Sequence, residues 1–297
     1  MPELNPDGVS VRGCSIIYAP RGQAGEYAAL STNPYRGCSH GCAYCYVPKV
    51  LHMDRKEFDA GATPRTNWLD VLRKDAVKYR SLGVTEQVML SFTTDIYNPS
   101  NTELTRPTLE LLQEHGLAIC PLTKGGARAL VDIDLFRPER DAFACTLTTL
   151  DDRFSLKWER AAALPGGRIA ALKTFRERGI FTWVSLEPTL DTESSLAIVD
   201  ATHDFVDLYK VGRANYVPTI TNVVDWQDYT LRMIEKLQRL GKKHYIKKDL
   251  QKYLPPGYHN PLRVPQNHGN GLSFAPPRQT HLFDQEARFE RVAPKSG

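Results

Sequence analysis

Between residues 66 and 247 the sequence alternates between helical and strand-like hydrophobic patterns, and that alternation restricts the chain to few folds. TNWLDVLRKDAVKYRSLG (66–83) has helical spacing and stops at Gly83. VMLSFTTD (88–95) is a short β-rich run. A second helix follows in TLELLQEHG, with Thr105 as its expected N-cap, Pro107 in its first turn and Gly116 at its stop. Strand signals recur at 117–124, 142–148, 181–188, 205–212 and 244–247, and helical ones at 166–179 and 225–241. Strands that alternate with helices imply parallel β/α units. About six units fit, which predicts an α/β fold built as a partial (β/α)6 TIM-like barrel. In such barrels chemistry gathers at the C-terminal strand ends, and polar residues collect there: Thr93, Thr94 and Asp95, Thr123 and Lys124, Thr148 and Thr149, Glu187 and Lys210.

Flanking segments lack this pattern. The expected organisation is an irregular segment over 1–25, the barrel over 26–254, and a Pro/Gly-rich basic tail over 255–297 that reads as extended and partly disordered. No stretch approaches the ~20 apolar residues of a membrane span, and no signal pattern opens the chain. A cytoplasmic protein is expected. The net charge of +4 is small, but from Lys242 onward ten basic residues face four acidic ones, a field that attracts polyanions.

Three of the six cysteines crowd into NPYRGCSHGCAYCYVPKV (33–50), spaced C-x3-C-x2-C. Gly37 and Gly41 let that loop fold Cys38, Cys42 and Cys45 onto one small target. Thiolates select zinc, copper(I) or iron–sulfur clusters. Structural zinc draws four ligands, usually with a second pair further along, and no second close Cys pair exists; His40 and His52 are nearby but suit ordinary loop positions. A cubane with three local ligands leaves one iron open to an exogenous ligand.

The C-x3-C-x2-C spacing, with Tyr44 just before the last cysteine, resembles the signature of the radical S-adenosylmethionine (SAM) superfamily. NPYRGCSHGCAYCY, TTDIYNPSN, LTKGG and TWVSLEPTLD together resemble the spore photoproduct lyase-like, or DNA repair photolyase-like, group. The resemblance implies a [4Fe-4S] cluster on Cys38, Cys42 and Cys45, and SAM bound at its open iron. Reductive SAM cleavage would follow, giving a 5′-deoxyadenosyl radical, with flavodoxin or ferredoxin as electron donor. It implies that Tyr44 packs near the adenine and that Thr93 or Thr94 hydrogen-bonds SAM. Lys124 would face the SAM carboxylate, and Thr148 and Glu187 would contact ribose or substrate. Each position also has a structural reading: Tyr44 as a packing aromatic, the threonines as strand-end partners, Lys124 as a solvated lysine, Glu187 in an ion pair.

The lyase-like activity implied by the resemblance acts on a nucleic acid lesion or modified base. Spore photoproduct lyases, however, have a hydrogen-donating cysteine where this chain has Phe92 in Phe92-Thr93-Thr94-Asp95. Cys120, Cys145, Tyr46 and Tyr97 are the remaining candidates for a hydrogen-atom relay. A peptide or small-molecule substrate is the alternative, and a non-enzymatic iron–sulfur or zinc adaptor a third. In the tail, Gln279-Thr280-His281-Leu282-Phe283 resembles the peptide by which bacterial repair proteins dock on the sliding clamp, with Gln279, Leu282 and Phe283 as anchors. A labelled peptide spanning 276–286 is expected to raise fluorescence anisotropy on titration with clamp; no rise beside a working control peptide removes the clamp as a partner.

Overall fold

A computed structural model describes residues 2–84, 86–90 and 92–260. Seven strands form one sheet: β1 (Leu30–Thr32), β2 (Gln87–Leu90), β3 (Ala118–Thr123), β4 (Ala142–Thr146), β5 (Phe181–Thr189), β6 (Leu208–Arg213) and β7 (Lys243–Ile246). They lie side by side in chain order, each parallel to the next. The crossovers carry α1 (Trp68–Ser81), α2 (Thr105–Glu114), a 3-10 segment (Gly126–Leu135), α3 (Pro165–Glu177), α4 (Thr192–Thr202) and α5 (Trp226–Arg239). Six β/α units followed by a last strand make the expected partial barrel.

Strand alternation sorts the core into two layers. Leu90, Ile119, Phe143, Val184 and Val211 pack under the helices. Met89, Cys120, Leu122, Ala144, Trp183 and Tyr245 fill the lumen. Both faces are apolar, which is why the strands read as nearly continuous hydrophobic runs. The lumen is narrow enough for the indole N–H of Trp183 on β5 to reach the Cys120 sulfur on β3 at 3.3 Å.

The N-terminal segment closes the open side of this sheet. Glu26, buried just before β1, accepts hydrogen bonds from the Tyr245 hydroxyl (3.0 Å) and the Lys248 backbone N–H (2.7 Å). Lys210 of β6 donates to the Glu26 and Tyr27 carbonyls at 2.9 and 2.8 Å. Its ammonium lies 5.0 Å from the Tyr27 and Trp183 ring centres, and burial lowers its pKa well below the ordinary lysine value. Lys210 therefore belongs to this seam rather than to the polar mouth. At the far edge Asn260 brackets Ile246, accepting from its N–H at 2.8 Å and donating to its carbonyl at 2.7 Å. Those bonds use backbone groups that would otherwise leave an edge strand open.

Several local expectations change. Helix α2 begins at Thr105 with Leu104 as its N-cap; the Thr105 hydroxyl instead donates to the Ile96 carbonyl at 2.6 Å and meets the Tyr35 hydroxyl at 3.0 Å. Strand β1 is not legible in the sequence because three residues carry no period. Two helices opened by aspartate N-caps are equally hidden: Asp151 accepts from Phe154 N–H at 2.6 Å and Asp191 from Ser194 N–H at 2.7 Å. Gln279, Leu282 and Phe283, with everything beyond residue 260, lie outside the described residues. No helix among the described residues is long and apolar enough to cross a membrane.

Replacing Glu26 by Ala strips partners from the Tyr245 hydroxyl and the Lys248 N–H at the seam. We expect a loss of about 2–3 kcal/mol in chemical denaturation, from two hydrogen bonds to a charged acceptor; an unchanged midpoint would mean the seam holds without it.

Candidate active site

A cavity of about 560 Å³ opens at the C-terminal ends of the strands, within the ~300–1,000 Å³ usual for small-molecule sites. Cys38, Cys42 and Cys45 all border it. They lie on the loop that follows β1, which contains no helix or strand between Arg36 and Val47. Gly37, at φ +80°, makes the first turn, and a Cβ there would lie 2.2 Å from the Gly61 carbonyl oxygen, so no other residue fits.

The irregular loop is held from three sides. The Cys38 N–H donates to the Phe58 carbonyl at 2.8 Å and the Ala43 N–H to the Trp158 carbonyl at 2.7 Å. Arg55 donates to the Cys42 carbonyl at 2.6 Å. The Asn98 side-chain N–H donates to the Cys38 sulfur at 3.1 Å, while its oxygen accepts from Ser39 and Ser100 hydroxyls at 2.6 and 2.8 Å. A sulfur that accepts such a bond is positioned as a ligand is positioned by its outer partners. Burial pushes the Cys38 and Cys42 thiols up to about 12, so ligation must displace their protons.

Glu159, fully buried, anchors the same loop to the barrel. One oxygen accepts the Tyr44 hydroxyl and the other accepts Arg168 at 2.5 Å. Arg168, itself buried, also donates to the Thr146 and Ala163 carbonyls at 3.0 and 2.7 Å. Burial alone would raise the Glu159 pKa, but the charges of Arg168 and Lys124 outweigh it and hold the carboxyl below its ordinary range.

Asp95 is the second anchor. It accepts from the Thr123 hydroxyl (2.6 Å), the Lys124 N–H (2.7 Å) and the Tyr97 N–H (3.0 Å). His40 Nδ1 lies 3.4 Å from Oδ2, the oxygen that takes the Lys124 N–H, and Arg128 donates to His40 Nε2 at 3.0 Å. Burial lowers His40 to about 4, so the ring is neutral with its proton on Nδ1. His40 is thereby a structural residue of the loop.

On the opposite wall Glu187 accepts the Tyr27 hydroxyl at 2.5 Å and the Lys247 ammonium. Tyr27 also meets Ser185 at 2.9 Å, and Asn215 joins Glu187 to Asp249 at 3.4 and 2.7 Å. Burial and the Glu187 charge push the Tyr27 hydroxyl well above its ordinary pKa.

Of the residues singled out in the sequence, the cavity brings together the three cysteines, Tyr44, Tyr46, Thr93, Thr94, Lys124 and Glu187. Thr94 is already engaged, donating to the Gly37 carbonyl at 2.7 Å, whereas the buried Thr93 hydroxyl has no partner among the described residues. Four of the candidate cofactor-contact and relay residues do not border it. Thr148 lies beyond the end of β4: the Leu147 N–H bonds the Ser185 carbonyl at 3.1 Å, the chain then leaves the sheet, and Thr146 takes the place on the wall. Cys145 has the helix-facing parity, its sulfur 3.8 Å from the Arg168 carbonyl. Cys120 faces the lumen but lies two residues below Leu122, which forms the wall, and burial pushes its thiol up to about 12. Tyr97 is fully buried in the helix-side core. Phe92 does border the cavity, at a φ of +85° and edge-on to Tyr27 with ring centres 6.0 Å apart.

Sequence reasoning missed Asn98, Glu159, Arg168 and Tyr27. Asn98 was detectable as the polar residue of IYNPS; Arg168 was hidden inside a helical pattern, and nothing local marks Glu159 or Tyr27.

Residues 32–206, more than half of the chain, match the model of the Radical SAM superfamily. The chain belongs to the radical SAM superfamily. Its members are enzymes that use a [4Fe-4S] cluster and SAM. Among solved structures, a doubly substituted spore photoproduct lyase with bound AdoMet and dinucleoside spore photoproduct superposes with a TM-score of 0.60 at 13% identity, over 79% of each chain. SuiB of Streptococcus suis bound to S-adenosylmethionine gives 0.56 at 15% identity, over 79% of this chain and 54% of that one. These likenesses are of fold. No curated protein matches the sequence.

In this radical SAM chain the Glu159→Gln substitution leaves Arg168 buried beside a neutral amide. We expect a loss of about 3–5 kcal/mol at neutral pH, the usual result of breaking a buried pair. Because the folded pKa of Glu159 is depressed, its contribution is present above the ordinary glutamate range and is lost as pH falls through the folded value. The stability gap between wild type and variant should therefore narrow in acid; a gap constant from pH 7 to 3 would deny Glu159 that role.

Proposed function

We propose that the protein binds a [4Fe-4S] cluster through Cys38, Cys42 and Cys45 and cleaves SAM reductively, acting on a nucleic acid lesion or modified base. The observation that carries this reading is the convergence of three loop cysteines on one cavity, with Asn98 aimed at the Cys38 sulfur. The residues present fit the group. Three soft thiols on one eight-residue stretch of loop supply three of a cubane's four ligands and leave one iron open to SAM, whereas structural zinc would need a fourth protein ligand. Bound on these cysteines, the cluster would supply one electron to the SAM sulfonium, breaking its S–C5′ bond to give methionine and a 5′-deoxyadenosyl radical.

The chain's own residues then bind and orient. Lys124 borders the cavity beside Asp95 and Glu159, and those charges together with the Cys42 thiol outweigh the lowering effect of burial, so it stays cationic and suits the SAM carboxylate. The free Thr93 hydroxyl offers SAM a hydrogen bond that Thr94, already bound to Gly37, does not. Tyr44, fixed by Glu159, walls the adenine side. Phe92 places an aromatic ring where a lyase-type donor thiol would stand, so reversal of a thymine photoproduct is not the favoured reaction.

The neighbours divide on substrate: one spore photoproduct lyase structure holds a dinucleoside lesion, and one SuiB structure its precursor peptide SuiA. The cavity favours the anionic class, since Lys124 and Lys247 are met by Asp95, Glu159 and Glu187 while Arg21 and Arg213 on its lining have no carboxylate partner among the described residues.

The test is anaerobic. Reconstituted, reduced protein with SAM is expected to yield 5′-deoxyadenosine by mass spectrometry, and Cys38→Ala, Cys42→Ala and Cys45→Ala should each abolish it. Product that persists in the three variants, or its absence from wild type supplied with cluster, reductant and damaged DNA, rejects the reading.

A further inference from the structure

Besides the cysteine loop, the cavity has an outer part lined by more exposed aromatic and basic residues. Tyr46 and Tyr216 stack at its mouth with ring centres 5.8 Å apart and planes 25° from parallel. Both border the cavity, yet they remain 37% and 55% exposed, an unusual state for large aromatic rings beside an apolar wall. Each ring fixes the other, so the pair is a platform ordered before anything binds. Two guanidinium groups border the same cavity. Arg21 is exposed, and Arg213 donates to Asn215 at 2.9 Å through Nε; neither is ion-paired with a carboxylate among the described residues. Lys247 beside them is neutralised by Glu187.

The position of these groups along the chain is informative. The superfamily match spans 32–206 and contains the three cysteines, Thr93, Lys124 and Glu187, and one ring of the pair, Tyr46. Arg21 lies before it, and Arg213, Tyr216 and Lys247 lie after it. Much of the outer half is therefore built by segments outside the shared domain, where substrate selection is expected.

We propose that this outer half grips one nucleotide of a single strand, or one extruded from a duplex, with a base stacked on Tyr46 and Tyr216 and adjacent phosphates on Arg21 and Arg213. The inference deepens the preceding reading and rests on it for the reaction that follows binding. Stacked aromatics beside unpaired arginines match what single strands present, a π-face on every base and a charge on every phosphate. A peptide lacks that repeat. The form of the strand follows from depth. Cys42 is only 7% exposed within a cavity of about 560 Å³, so a base still stacked in a duplex cannot approach the cluster loop. Enzymes that act on a base deep in a pocket take it out of the stack.

The experiment uses the full-length protein with its cluster reconstituted and four fluorescein-labelled probes, read by anisotropy across a salt series. The probes are a 12-nucleotide thymidylate, the same backbone without bases, the thymidylate annealed to its complement, and an acidic 12-residue peptide. The thymidylate should bind tightest, and loss of the bases should weaken binding about tenfold or more. Tyr216→Ala should bring the thymidylate down to the abasic level, while Tyr216→Phe should retain binding. Arg21→Gln and Arg213→Gln should each reduce the slope of log affinity against log salt by about 0.7, for both single-stranded probes. Iron content and melting temperature check that each variant is folded.

Equal binding of thymidylate and abasic strand, or an unaffected folded Tyr216→Ala variant, overturns the stacking platform. Unchanged salt slopes overturn the arginine contacts, tighter binding of the peptide overturns the substrate class, and a duplex that binds as well as the single strand overturns the extruded form. These outcomes are separate from SAM cleavage: a protein that makes 5′-deoxyadenosine but ignores the bases fails only here, and one that binds the strand but never cleaves SAM fails only in the preceding section.

Discussion

The buried pair of Glu159 and Arg168 is the contact on which the geometry of the site depends. A loop bearing three cysteines cannot be stiffened by its own backbone, because it contains neither helix nor ladder. Its position has to be imposed from outside. Glu159 accepts the Tyr44 hydroxyl from the loop and Arg168 from the barrel, and its backbone bridges Cys42. Arg168 passes the constraint to the end of β4 through the Thr146 carbonyl. Such a pair adds little net stability over a well-packed apolar substitute, since desolvating two charges offsets most of their attraction. Its contribution here is positional. An apolar residue at 159 could fill the space, but it could not hold the Tyr44 hydroxyl and the Arg168 fork in one orientation. Asp95 repeats the logic on the other side, joining the loop at His40 to the end of β3 at Thr123 and Lys124. The two carboxylates set where the cysteines sit relative to the strand ends.

How much of this was legible follows from the range of each interaction. Strands β2 to β7 and helices α1, α2, α3 and α5 were visible because period and stop residues are local. The cysteine triad was visible because its spacing is local too. The ring of polar residues at strand ends was only half legible. Parity and strand length decide which side chain reaches the cavity, and a strand's end cannot be located to one residue in sequence. Thr148 was lost in that way, and Thr146 replaced it. Cys145 and Cys120 differ by parity and by depth, neither of which composition reveals. Glu159 and Tyr27 were invisible for a different reason: their partners lie at Tyr44 and Arg168, and at Glu187 and Ser185, up to 160 positions away. No local pattern marks a residue whose role is defined by such contacts.

The cavity joins two kinds of chemistry that arise from different parts of the chain. The inner half carries the thiols, a neutral His40 and a lysine surrounded by carboxylates, so its charges are largely balanced by the protein itself. The outer half keeps two guanidinium groups without carboxylate partners among the described residues and an aromatic pair that is only partly covered. Neither arginine is ion-paired among the described residues as Lys247 is with Glu187: Arg21 is exposed to solvent and Arg213 donates to the Asn215 side chain. A fold that hosts several chemistries carries its functions in grafted sites; of these groups Tyr46 lies within the shared domain, while Arg21 precedes it and Arg213 and Tyr216 follow it. The N-terminal segment that supplies Arg21 also supplies Glu26 and Tyr27. The segment that closes the sheet against β6 and β7 thus also lines the outer wall of the cavity, so a change in how that seam packs would be felt directly at that wall.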